Sequence, residues 1–183
     1  MKYKTHLVTV IFGCADNIDT HSTRWFSKVW DDFKDNLTGS DGCDPFARDC
    51  KLATFTNDIN PMTAAEEHKP ALEFLQQFKT GSLDFVIFDP PFSERQSHEK
   101  YDGFGINLYA SEGVMIGECL DEASRILKTG GRLLKFGYNC NTFNHSMQLE
   151  KLWLIQKTHR THNNTTIISS WVKNQQTLFD FQE

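Results

Sequence analysis

Short apolar runs alternate along this chain with stretches that are apolar at helical period. Leu7 to Phe12 is a β-branched run closed by Gly13 and predicts a strand. After the polar segment 14–22, Ser22 or Thr23 can cap a helix. Its Trp25, Phe26, Val29, Trp30, Phe33 and Leu37 fall on one face, and Gly39 stops it. An aromatic stripe of this kind reads as core. Leu52 to Thr56 predicts a second strand, and Pro70 is suited to open a helix over 70–79 with Ala71, Leu72, Leu75 and Phe78 inward. Phe85 to Phe88 is continuously apolar, the pattern of a strand buried on both faces inside a parallel sheet. A helix over 112–128 carries Val114, Met115, Leu120, Ala123, Ile126 and Leu127 on its inner face. Gly130-Gly131 is expected to end it before a strand from Arg132 to Phe136. Leu152 to Lys157 and Thr165 to Val172 predict two final strands. Strands alternating with helices in this way predict a doubly wound α/β fold with a mostly parallel sheet.

The chemistry concentrates where the most buried of these strands ends. Asp89 follows Phe88 directly, and Pro90 and Pro91 then forbid both helix and further ladder pairing. The product is a stiff turn at the carboxyl end of a central strand, where open α/β sheets place their ligands. It offers a carboxylate, a carbonyl of fixed direction and the aromatic face of Phe92. Asp89 and the Pro90 carbonyl can accept hydrogens from an exocyclic amine while Phe92 stacks on the ring that bears it.

Asp89-Pro90-Pro91-Phe92 resembles the catalytic motif of the amino-directed methyltransferases, which use S-adenosylmethionine to methylate N6 of adenine or N4 of cytosine. Other segments resemble that family in the same order. Asp44-Pro45-Phe46-Ala47 looks like the start of its cofactor loop, and Asp58 stands where the family's second strand carries an acid for the cofactor's ribose hydroxyls. The helix bearing Trp25 occupies the position of the segment that holds the cofactor's methionine end. The run Ile126 to Leu134, with Thr129-Gly130-Gly131, is similar to the approach to the fifth strand in class I methyltransferases generally. The resemblance implies a class I methyltransferase, Rossmann-like sheet whose last strand is antiparallel. It also implies a hairpin turn, 158–164, facing the active site, with His159, Arg160 and His162 near substrate.

The chain departs from the family in two places. Arg48-Asp49-Cys50 stands where glycines are usual, with little room for the helix that follows them, and Pro70 stands where an acid often contacts adenine. Small phage-encoded methyltransferase-like proteins, which these segments resemble closely, shorten the same loop and favour Ser-x-Arg-Gln after the double proline, as in Ser93 to Gln96 here. Arg95 is thereby a candidate phosphate contact, and His162 a second substrate contact. Tyr138 and Asn139 leave the carboxyl end of the fifth strand and are weaker candidates for the pocket.

Composition narrows the partners. At 183 residues the chain is expected to be one domain without a separate target-recognition domain. Neither a membrane span nor a signal-peptide core is visible. The five cysteines (14, 43, 50, 119 and 140) form no CxxC pair, which argues for reduced thiols in a cytoplasmic compartment, the host's if phage-encoded, and no ligand spacing for a metal appears. A net charge of −5 argues against a broad DNA-wrapping surface and leaves room for a local basic cleft. Nucleic acid is the expected partner, DNA ahead of RNA, with target selectivity drawn from loops or from a second subunit, a homo-oligomer included. Leu178-Phe179-Asp180-Phe181 in the tail is suited to docking. Two other readings stay open: a catalytically inactive methyltransferase fold serving as a nucleic-acid-binding or regulatory subunit, and a protein amide methyltransferase.

Overall fold

The structure, a computed structural model, describes residues 7–13, 24–91, 93, 95, 97–98, 102–104, 114–141, 144–157 and 165–174. Its elements in chain order are β1 (Leu7–Gly13), α1 (Arg24–Lys34), β2 (Gly42–Asp44), β3 (Phe55–Thr56) and α2 (Ala71–Gln76). Then follow β4 (Leu83–Phe88), α3 (Val114–Ile126), β5 (Leu127–Gly137), β6 (Met147–Lys157) and β7 (Thr166–Lys173). The strands form one seven-stranded sheet in the order β1-β6-β7-β5-β4-β2-β3. Every pairing is parallel except those of β7, which is antiparallel to both β5 and β6. The expected mostly parallel sheet with an antiparallel last strand is what the chain forms.

Both faces are packed, which is why β4 is buried at all six positions. Leu83, Val86 and Phe88 face a core shared with Phe74 and Leu75 of α2 and Cys119, Ala123 and Ile126 of α3. Phe85 and Ile87 face a second core built on Trp25, Phe26, Val29 and Phe33 of α1. The aromatic stripe of α1 is therefore core along most of its length. Asp32 ties this helix to β6, accepting from Trp153 Nε1 at 2.9 Å and pairing with Lys151. Helix α1 runs against the strands: the Phe26 ring meets Phe136 near the carboxyl end of β5, and Phe33 meets Phe85 low on β4. Its first turn accordingly lies at the carboxyl edge of the sheet.

Three sequence expectations are adjusted. The strand predicted over 52–56 shrinks to Phe55–Thr56, because only β2 pairs with it and Leu52 and Phe55 stay exposed. The helix predicted over 70–79 is confined to Ala71–Gln76. The glycine pair does not cap α3, which ends at Ile126. Its last carbonyls are taken by the amides of Gly81 and Ser82 and by Lys173 Nζ, and the chain passes straight into β5. Within β5, Gly130 has φ +81, and a side chain on Gly131 would meet the Lys128 carbonyl at 2.8 Å. The strand predicted over 7–12 forms as β1, which lies beyond β6 as the far edge of the sheet, with Val8 and Val10 exposed. Among the described residues no helix is long and apolar enough to cross a membrane.

Candidate functional site

The strand order fixes where a ligand belongs. From β2 the chain steps outward to β3, then returns across β2 to β4 and continues to β5 on the other side. The order thus reverses between β2 and β4, and it is at the carboxyl ends of the strands flanking such a switch point that open α/β sheets bind ligands. Asp44 is the last residue of β2, and Asp89 follows the last residue of β4. Asp58 lies two residues beyond β3.

Asp44 is fully buried. Its Oδ1 accepts the Phe46 amide at 3.0 Å, and its Oδ2 has no hydrogen-bond partner. Burial pushes its carboxyl well above the usual range; the Phe46 amide opposes the shift, and the charges of Asp89 and Asp58 add to it. Asp89 and Asp58 therefore both stand close enough to Asp44 for their charges to act on it. Asp58, 2% exposed, repeats the pattern. Its Oδ1 accepts the Asn60 amide at 2.9 Å and its Oδ2 is an orphan. Burial raises its carboxyl as well, against the Asn60 and Arg48 amides and the nearby Arg48 and His68 charges.

A third buried polar atom without a partner is the Trp25 indole Nε1, in the first turn of α1. Native interiors leave few polar groups unpaired, so two acceptors and one donor orphaned at the same edge of one sheet call for a ligand that supplies the complementary groups. Hydroxyls or an ammonium would satisfy the two acids, and an acceptor such as a carboxylate would satisfy the indole. The amino-acid end and ribose of S-adenosylmethionine carry all of these, so the residues present fit that cofactor.

The rest of the expected cofactor loop serves the fold. Phe46 is a core side chain, edge-on to Phe88 with centroids 5.4 Å apart, and Ala47 is fully buried. Asn57, a loop residue outside every motif, stitches the loop together. Its Nδ2 donates to the carbonyls of Pro45 at 3.1 Å and Lys69 at 3.0 Å, and its Oδ1 accepts the Lys69 amide at 2.9 Å. Its backbone accepts from Ala47 and donates to Asp44. Arg48, at a usual glycine position, has φ 50. The short loop thus keeps the left-handed turn that a glycine would supply, at a cost of about 1 kcal/mol.

Asp89 and Pro91 are half-buried and Pro90 is buried. Arg95 is exposed in the segment beyond the turn. Phe92 and His162, with the 158–164 turn, lie outside the described residues. Thiolate chemistry is disfavoured at two buried cysteines: Cys43 is pushed well up by burial and by Asp44, and Cys119 to about 12 by burial and Glu118 and Glu122. Among the described residues no group of three His, Cys, Asp or Glu side chains is arranged to hold a metal ion.

The Asp44 shift has a stability consequence. Between the ordinary carboxylate range and its raised value, the folded chain holds a proton that the unfolded chain releases. Stability from this group is therefore complete at low pH and is lost as pH rises through that window. Asp44→Asn keeps an acceptor for the Phe46 amide and removes the titration. The ligand-free variant should melt higher than the parent near neutral pH, with a flatter dependence of melting temperature as pH rises above the ordinary carboxylate range. A parent whose stability rises across that range, in step with the variant, would contradict the assignment.

No protein-family model and no curated protein matches the chain. Solved structures do match its fold. The protein PH0851 aligns over 80% of this chain at 15% identity and TM-score 0.54, and the chain spans 45% of its length. The Escherichia coli protein yhhF, whose methyltransferase assignment is itself provisional, aligns over 87% of this chain and 90% of its own at 13% identity and TM-score 0.55. An rRNA methylase from Streptococcus thermophilus aligns over 84% of this chain and 99% of its own at 11% identity and TM-score 0.52. The chain has the class I methyltransferase, Rossmann-like fold.

Proposed function

We propose that the protein is an S-adenosylmethionine-dependent methyltransferase acting on the exocyclic amino group of a nucleic-acid base, adenine N6 ahead of cytosine N4, in DNA ahead of RNA. One observation carries the reading: Asp89 opens a double-proline turn at the switch point of the sheet, beside two buried acids whose free oxygens await donors. Fold alone would not license a function. The turn supplies the chemical reason.

In this reading Asp58 takes the ribose hydroxyls, Asp44 the ammonium and Trp25 Nε1 the carboxylate of the cofactor, with Pro45, Phe46 and Ala47 shaping the loop. The cofactor supplies an electrophilic methyl group. Everything else is done by the chain. An exocyclic amine shares its lone pair with its ring and is a poor nucleophile. Asp89 and the Pro90 carbonyl accept its hydrogens, favour a pyramidal nitrogen and orient its lone pair, while Phe92 stacks on the ring. Catalysis then comes from positioning and electrostatic complementarity, without a nucleophilic side chain. A base within a duplex must first be extruded. Arg95 and His162 are assigned to the phosphates flanking it.

Calorimetric titration with S-adenosylmethionine and S-adenosylhomocysteine tests the cofactor half of the proposal. Both should bind, and Asp58→Ala should weaken binding by roughly 1.5–3 kcal/mol, the range for hydrogen bonds to a charged group. Unchanged affinity in that variant would move the ribose elsewhere. Absence of binding by the parent would favour the inactive-subunit reading.

A further inference from the structure

Lys135 is a lysine almost fully buried in a strand, 8% exposed, and no part of the methyl-transfer scheme uses it. Its position is informative. Lys135 pairs with Phe88 across β4 and β5, one residue short of Asp89. Phe88 belongs to the core of α2 and α3, so the lysine leaves the sheet on that same face. From there it climbs toward the carboxyl edge: Nζ would lie 3.9 Å from a side chain on Gly137, and it donates to the Asn139 carbonyl at 3.2 Å and to Asn139 Oδ1 at 3.4 Å. The amine therefore lies at the carboxyl edge of β5, the strand next to the one that leads into the Asp89 turn. Two of its three hydrogens, when charged, are engaged by Asn139. Burial lowers its pKa, opposed by Cys140. An added acceptor would compensate that desolvation.

The strand order says which ligand the lysine faces. Asp58 and Asp44 follow β3 and β2, on one side of Asp89, and Lys135 is on β5, on the other. If the cofactor lies over the two acids, the group being methylated lies on the side of the lysine. In adenine and cytosine the exocyclic amine is attached next to a ring nitrogen that carries a lone pair and no hydrogen. Asp89 and Pro90 can only accept, so they serve the amine and leave that nitrogen without a donor. We infer that Lys135 Nζ donates a hydrogen bond to the ring nitrogen adjacent to the target amine, and so sets the rotation of the base in the site. This rests on the base-methylation reading and names a specificity-determining contact within it.

The test pairs an atomic change in the substrate with one in the protein. Oligonucleotides carrying the natural base, or its analogue with that ring nitrogen replaced by CH (1-deazaadenine or 3-deazacytosine), are compared on the parent and on Lys135→Met. Methyl-transfer kcat/KM and oligonucleotide affinity by fluorescence anisotropy are both read. The parent should lose about tenfold to a hundredfold in kcat/KM on the deaza substrate, the range for a hydrogen bond to a charged group. Lys135→Met should lose a similar factor on the natural base and lose little more on the analogue, since two changes that remove one contact do not add. A structural role for Lys135 would leave the full deaza penalty in the variant, and that result overturns the inference. So does a parent indifferent to the deaza substitution. Should Lys135→Met fail to fold, Lys135→Gln retains a shorter donor and should show a reduced deaza penalty; an undiminished one again overturns the inference. A parent that methylates neither base removes the base reading itself, a distinct outcome that takes this contact with it.

Discussion

Asp89→Ala should lower methyl transfer by roughly a hundredfold or more and leave affinity for S-adenosylmethionine nearly unchanged. Removing an electrostatic contact made chiefly in the transition state typically costs that much in rate. The cofactor contacts assigned here belong to β2, β3 and α1, so they survive the change. Asp44 adds a second signature: Asp89 is one of the charges that raise its carboxyl, so Asp89→Ala should relax that shift. Phe92→Ala should behave differently. Stacking contributes about 1–3 kcal/mol per base, so substrate binding should fall along with turnover, whereas Phe92→Tyr keeps the ring face and should be tolerated. Tritiated methyl transfer beside calorimetry separates the two patterns. Parent-level transfer by Asp89→Ala would remove the mechanism whatever the fold.

Asn57→Ala should destabilise the protein by about 2–4 kcal/mol and abolish measurable cofactor binding. Three side-chain hydrogen bonds to buried or half-buried backbone are lost together, each worth about 1 kcal/mol, with a further penalty for the carbonyls and amide left unpaired. These bonds clamp the loop after β2 to the segment ending at Lys69, and Asp44 and Asp58 stand on the two sides of that clamp. Denaturant unfolding and titration on the same sample check it. A variant that binds cofactor normally would show that the loop holds its shape without Asn57.

These cases mark what could be read in the chain. The β4 strand and its turn were legible because a continuous apolar run, an acid and two prolines act through local sterics alone. The faces of α1 and α3 were legible from the 3.6-residue period. The two outer acids were legible only through the resemblance of their surroundings, and their burial and orphaned oxygens came from the structure. Asn57 left no signal, since its partners lie 12 residues away on either side and a lone Asn in a loop reads as a turn former. Lys135 left no signal either: a lysine within a strand is ordinarily solvated, and only the packing around it shows that this position of β5 is buried. Nor could the end of α3 be placed: its glycine pair is a sound stop signal, but amides from Gly81 and Ser82 cap the helix four residues earlier.

The most direct measurement is nucleoside mass spectrometry of unmethylated DNA and RNA after incubation with the protein and S-adenosylmethionine. One new product, N6-methyladenine or N4-methylcytosine, should be present with the parent and absent with Asp89→Ala. Cofactor binding with no modified base in either nucleic acid, or methylation that persists in Asp89→Ala, would contradict it.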